Sequence, residues 1–243
     1  RNLEQKLREK IIELDRKTGE RVISFFFDDI VEKYSSNEKV ILHINDLKED
    51  MVEHINKFKG QQKTSANPFS IQKEDPKKFF ERYKVNLFID NSDRIGAPIV
   101  NETNPTYYNL TGMMEYKNEM GFLTTSFMDI KPGALHKANG GFLILNVKDL
   151  FSHQFAWEGL KRSLKTNKVT IETLNKQYGY IVTATLKPEP IDMDLKVILI
   201  GDYYTYSVLF SYAEDFRKLF RIMADFDVEM QRSSENVYKC ARP

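Results

Sequence analysis

Two apolar runs in this chain end on residues whose types bear on chemistry. Phe142-Leu143-Ile144-Leu145 leads into Asn146 and Val147, and Leu195–Ile200 leads into Gly201 and Asp202. Asn146 offers a hydrogen-bond acceptor but no charge. Val147 cannot take a proton, and a positioned general base is worth roughly 10²–10⁴-fold in rate. Asp149, two residues further on, has the residue type preferred at a helix start. Asp202 is charged; beside a phosphate its carboxylate is electrostatically poor, and a structural cap suits it better. Arg217 and Arg221 supply cations one helical turn apart. His136 has no His, Cys or paired acid near it at a metal-ligand spacing, so it is expected to be structural and no metal site is expected. His43, His54 and His153 are scattered, and no Ser/His/Asp constellation can be assembled from the sequence. No stretch fits the phosphate-loop pattern GxxxxGK[ST].

The elements that must position these residues follow from periodicity. Phe142–Leu145 is a continuous apolar run, as expected of a strand buried on both faces. Leu195–Ile200 is a second such strand, and Val85–Ile89 a shorter one. Phe155–Leu164 has helical spacing, with Trp157 a core anchor beside Leu160 and Leu164. Val169–Glu172 and Tyr180–Thr185 alternate around Asn175–Gly179, which predicts a β-hairpin with Tyr178-Gly179-Tyr180 at its tip. Residues 203–221 are expected to be helical, and Ala224–Met230 a last strand. Residues 92–121 are expected to form a long irregular loop. Strands alternating with helices predict a parallel α/β sheet.

The start of the chain differs. Leu3, Leu7, Ile11, Leu14, Val22, Phe25 and Ile30 recur at helical steps over 2–35, with Gly19 a weak point that could divide the helix. Residues 38–59 repeat the pattern, which predicts an antiparallel helical hairpin. The polar stretch 60–78 contains Pro68 and Pro76 and has linker character. The organisation expected is therefore a helical hairpin over 1–60, a linker over 61–79 and an α/β core over 80–243.

Bulk properties set outer limits. A length of 243 residues with 41% hydrophobic content supports a sizeable core. A formal net charge of +1, with no concentrated basic stripe, disfavours nucleic acid as a partner. No apolar run approaches the roughly 20 residues that a membrane helix needs. Cys240 is the only cysteine, which fits a reducing, cytoplasmic setting. The charged start and the character of the end suggest a piece of a longer protein.

Four segments carry a family resemblance: YKVNLFIDNSDRIGAP (83–98), NPTYYNLTG (104–112), IKPGALHKANGGFLILNVKDL (130–150), and FAWEGLKRSLKTNKVTIE (155–172) continuing through PEPIDMDLKVILIGD (188–202) to FRKLFRIMADFDVEM (216–230). Together they resemble the divergent AAA+ region of Lon-like proteases. The resemblance implies a partial AAA+-type parallel sheet flanked by helices, with the N-terminal hairpin as an insertion. It also implies a hexameric parent with a Ser–Lys dyad endopeptidase, whose phosphate loop and protease domain lie outside this sequence.

In that frame Asn146 stands at the place of the Walker B aspartate, which holds the Mg²⁺ water shell. Val147 stands at the place of the glutamate that activates water. Asp202 ends the sensor strand. Arg217 and Arg221 fall in the arginine-finger segment, with Leu219 an alternative at the finger position and surface ion pairing the plainer role for both arginines. The site resembles a degenerate nucleotide site, of the kind found in the ATP-independent branch. The expectation is a module with no catalytic residue and no bound cofactor of its own, the need of the parent for ATP and Mg²⁺ being left open. Its partners would be unfolded protein substrates and further copies of itself. Met113, Met114, Tyr116 and Phe122, in the Met- and aromatic-rich loop 112–122, are the expected substrate-facing residues. Two alternatives remain: an active ATPase motor segment with its phosphate loop upstream, and a DNA-binding or chaperone-like adaptor.

Overall fold

The computed structural model describes residues 2–59, 76–119, 122–172, 186–227, 229 and 231–240. The chain divides into two compact units, Arg1–Lys84 and Val85–Pro243.

The first unit is helical. α1 (Asn2–Lys33) is unbroken across Gly19. Any side chain at Gly19 would meet Ile55 Cδ1 at 2.8 Å, so glycine serves here for close helix approach. α2 (Glu38–Glu53) starts on Asn37, whose side chain accepts from the Val40 N–H. α3 (Ile55–Phe58) and α4 (Pro76–Phe80) follow. Asp50 ties the end of the unit to α2: it accepts from the Tyr83 hydroxyl at 2.6 Å and pairs with Arg82 at 3.2 Å. Phe58, Phe79, Phe80 and Tyr83 pack ring on ring around that point.

The second unit carries the expected α/β sheet. Its elements run in the order β1 (Ile99–Glu102), α5 (Tyr107–Thr111), β2 (Met113–Met114), β3 (Lys117–Glu119), β4 (Phe122–Thr124), β5 (Ile130–Lys131), α6 (Ala134–Lys137) and β6 (Phe142–Asn146). They continue with α7 (Val147–Ser152), α8 (Ala156–Thr166), β7 (Lys168–Val169), β8 (Ile191–Asp192), β9 (Lys196–Ile200), α9 (Tyr203–Tyr212), α10 (Glu214–Leu219) and α11 (Ser234–Cys240). The main sheet has the order β1-β6-β9, all parallel, with Glu102 opposite Leu145 and Asn146 opposite Ile200. The other described strands form small antiparallel pairs, β2-β5, β3-β4 and β7-β8.

The core lies on one face of this sheet. Leu143 and Leu145 are fully buried there with Leu110, Leu135, Leu150 and Leu160, and Val100, Val197 and Leu199 pack against them. On the other face Ile99, Phe142, Ile198 and Ile200 are exposed. The expectation that the central strand is buried on both faces is therefore corrected: the alternating side chains of β6 divide between a covered and an open face. α8 continues the core through Trp157, whose ring meets Phe151, Phe216 and Phe220 at 5.1, 6.4 and 6.3 Å.

Three further expectations change. Residues 92–121 hold β1, α5, β2 and β3 rather than a long irregular loop. Residues 85–90 belong to no helix or sheet; of the expected strand Ala224–Met230, residues 224–227 form no strand, and 228 and 230 lie outside the described residues. Lys168–Val169 pairs with Ile191–Asp192, while the expected hairpin strand 180–185 and its tyrosine tip lie outside the described residues.

Candidate functional site

In parallel α/β sheets the carboxyl ends of the strands are where ligands bind. Here β6 ends at Asn146 and β9 at Ile200, side by side in register. Each leads into a helix, β6 directly and β9 through Gly201-Asp202, and in each case the polar residue at the junction caps that helix. The Asn146 side chain accepts from the Lys148 N–H at 2.8 Å and the Asp149 N–H at 3.5 Å, satisfying donors at the start of α7. Asp202 accepts from the Thr205 N–H at 2.8 Å and from the Thr205 hydroxyl at 3.1 Å at the start of α9.

The two junctions are joined by Lys148, whose ammonium lies 3.0 Å from the second carboxylate oxygen of Asp202. The Thr205 N–H first, and then Lys148, hold the Asp202 carboxyl at a pKa of about 2. Val147, the first residue of α7, is 5% exposed and faces the β9–α9 junction: a Cβ at Gly201 would stand 3.3 Å from Val147 Cβ. Asp149 is exposed.

Arg217 lies on α10 with its guanidinium 5.9 Å from the Phe210 ring centre. Arg221 follows that helix, and its Nε donates to the Lys218 carbonyl at 3.1 Å. Leu219 ends α10, half-buried. On α10, Asp215 takes Lys165 at 2.6 Å and Lys161 at 3.4 Å, and Glu214 pairs with Lys218 at 2.7 Å.

The Met-rich segment divides by depth. Met114 is buried, Met113 and Tyr116 are half-buried, and the Phe122 side chain lies outside the described residues. Met113 and Met114 form β2 against Lys131 and Ile130.

His136 is 5% exposed on α6. Its Nδ1 accepts from the Gly133 N–H at 3.2 Å, which places the ring proton of the neutral form on Nε2. Among the described residues Nε2 has no hydrogen-bond partner, and burial pushes the pKa down to about 4. Among the described residues no cluster of three or more His, Cys, Asp or Glu could hold a metal ion.

Sequence reasoning places Asn146 and Asp202 at strand ends, and the structure brings them together there. It misses Lys148 and Thr205. The spacing Asp202-x-x-Thr205 is a local capping signal that could have revealed the second. The first has no local signal, because the Lys148–Asp202 pair spans two strands distant in sequence.

No helix among the described residues is long and apolar enough to cross a membrane. No curated protein matches the chain. The family model described as a LonB-like AAA domain matches residues 95–227, more than half of the chain and the whole of the β1-β6-β9 sheet with its capped junctions. The protein therefore belongs to the LonB-like AAA domain family and is a Lon-related AAA+ module.

Proposed function

We propose that this module assembles the ring of a Lon-like serine endopeptidase in the cytoplasm and admits unfolded protein to it, without hydrolysing ATP. The observation that carries the reading is the use made of the two strand-end acceptors. The Asn146 amide oxygen is already taken by two backbone N–H groups, and Asp202 by Thr205 and Lys148. A nucleotide-bound magnesium needs anionic or free oxygen donors. This donor set does not fit it: one acceptor is neutral and engaged, the other is neutralised by a lysine, and Val147 between them is apolar and buried.

What is left for the module is binding and assembly. The open sheet face of Ile99, Phe142, Ile198 and Ile200 is apolar surface suited to association. The half-buried Met113 and Tyr116 fit adaptable contact with unfolded chain.

The test uses the chain itself with reduced, carboxymethylated α-lactalbumin as a permanently unfolded probe. Fluorescence anisotropy is expected to show saturable binding of the probe, and phosphate release from Mg-ATP is expected to stay at the blank. Phosphate release above the blank that disappears in Asp149→Ala would overturn the non-hydrolytic reading. Absence of probe binding would overturn the substrate-binding part.

A further inference from the structure

Residues 85–90 have the side-chain pattern of a strand. Val85 and Leu87 are 76% and 69% exposed, while Asn86 and Phe88 turn inward. The segment is held through those inward side chains. The Asn86 amide donates to the Phe127 carbonyl at 2.9 Å and the Ile130 carbonyl at 3.2 Å. The Phe88 ring stands edge-on to His136, with centroids 4.9 Å apart. Its main chain is different: no N–H or C=O of residues 85–90 makes a hydrogen bond among the described residues. A segment whose side chains alternate between outward and inward, anchored on the inward side and with its backbone groups unpaired, is a template for another strand.

The same segment forms one wall of a cleft of about 180 Å³, with Phe88, Ile89, Leu135, His136, Asn139 and Ile191 among its lining residues. That lining carries no charge. His136 is neutral, and the Asn139 amide is already engaged, donating to the Asp192 carbonyl at 3.0 Å and accepting from the Asp194 N–H at 2.8 Å. An anionic ligand or nucleic acid meets no countercharge here, whereas an apolar side chain projecting from an added strand does not require one.

We propose that residues 85–90 and the cleft beside them form a strand-addition site for an apolar stretch of unfolded polypeptide. Pairing through the main chain is independent of sequence, which suits a partner defined by being unfolded rather than by a motif. The proposal rests on the substrate-binding reading above and gives it a place.

The test is amide hydrogen exchange on the whole chain, with and without reduced, carboxymethylated α-lactalbumin. Binding is expected to slow exchange at residues 86–90 at least tenfold. Leu87→Pro removes one donor while keeping the Asn86 and Phe88 anchors, and it is expected to weaken the probe at least tenfold. Leu87→Thr keeps the donor and is expected to change affinity less than threefold. Binding with unaltered exchange at 86–90, or equal binding by Leu87→Pro, overturns the site and leaves the broader function standing. Protection that grows with protein concentration in the absence of probe also overturns it, in favour of pairing between copies. No binding by the unaltered chain removes the function reading itself.

Discussion

Lys148 Nζ sits 3.0 Å from Asp202 Oδ2, so a lysine in the first turn of α7 neutralises the residue that caps α9 beside it. Both side chains are substantially exposed, and an ion pair in that setting adds little stability. Its consequence is electrostatic. The Asp202 carboxylate is countered by a lysine of the same fold.

The Asp202 carboxyl is expected to titrate near pH 2, because the Thr205 N–H and then Lys148 favour its charged form. A depressed folded-state pKa contributes stability that is present above the ordinary carboxyl range and is lost as pH falls through the folded value. The contribution is thus complete above about pH 4 and disappears toward pH 2. Carbon-detected NMR of the side-chain carboxyl checks this. Lys148→Met is expected to raise the midpoint only partly, since the larger cause, the Thr205 N–H, remains.

Asn146→Ala is expected to destabilise the protein by about 1 kcal/mol, the usual cost of losing an N-cap side chain. Asn146→Asp keeps an acceptor in place and is expected to hold stability near that of the parent. Urea unfolding of the three proteins measures the difference.

His136 shifts in the same direction as Asp202 but for a different reason, burial that disfavours its charged form. Burial lowers its pKa to about 4, so below its unfolded value of 6.5 only the unfolded chain gains a proton. Stability is then expected to fall as pH drops from about 6.5 to 4, by up to roughly 3 kcal/mol, and to level off below that. His136→Asn retains an acceptor for the Gly133 N–H and is expected to remove this slope in urea titrations at pH 7, 5 and 4.

The same turn depends on Gly133. A Cβ there would fall on the Leu110 carbonyl and the Gly112 N–H, both backbone. Backbone cannot swing aside as a side-chain tip can, so Gly133→Ala is expected to cost roughly 3 kcal/mol, the upper end of overpacking effects. Thermal unfolding followed by far-UV circular dichroism reads the loss.

The parts of this architecture that local pattern controls were legible in the sequence. Phe142–Leu145 is apolar without interruption and forms the central strand; Asn2–Lys33 has helical spacing and forms one helix. What periodicity could not supply was pairing. Residues 85–89 and 224–230 carry strand-like patterns of similar quality to that of β9, yet among the described residues 85–89 and 224–227 pair with no strand, while β9 lies parallel to β6 in register. Pairing depends on where distant segments arrive, and so does the lysine at Asp202. The strand-end positions of Asn146 and Asp202 were readable; the closure of that site by Lys148 was not.

Val147→Glu puts an acid at the place where the family resemblance expects one. Val147 is 5% exposed and packs toward Gly201, so the new carboxylate would have to be buried, take up a proton or push the start of α7 away from β9. Each route weakens the core, and a loss of about 3 kcal/mol or more is expected, as for other uncompensated buried charges. Phosphate release from Mg-ATP is expected to stay at the blank, because Asn146 and Asp202 remain engaged with Lys148, Asp149 and Thr205. A folded Val147→Glu protein that turns over ATP would mean that one missing acid was the whole defect and that the capped junctions are no obstacle to hydrolysis.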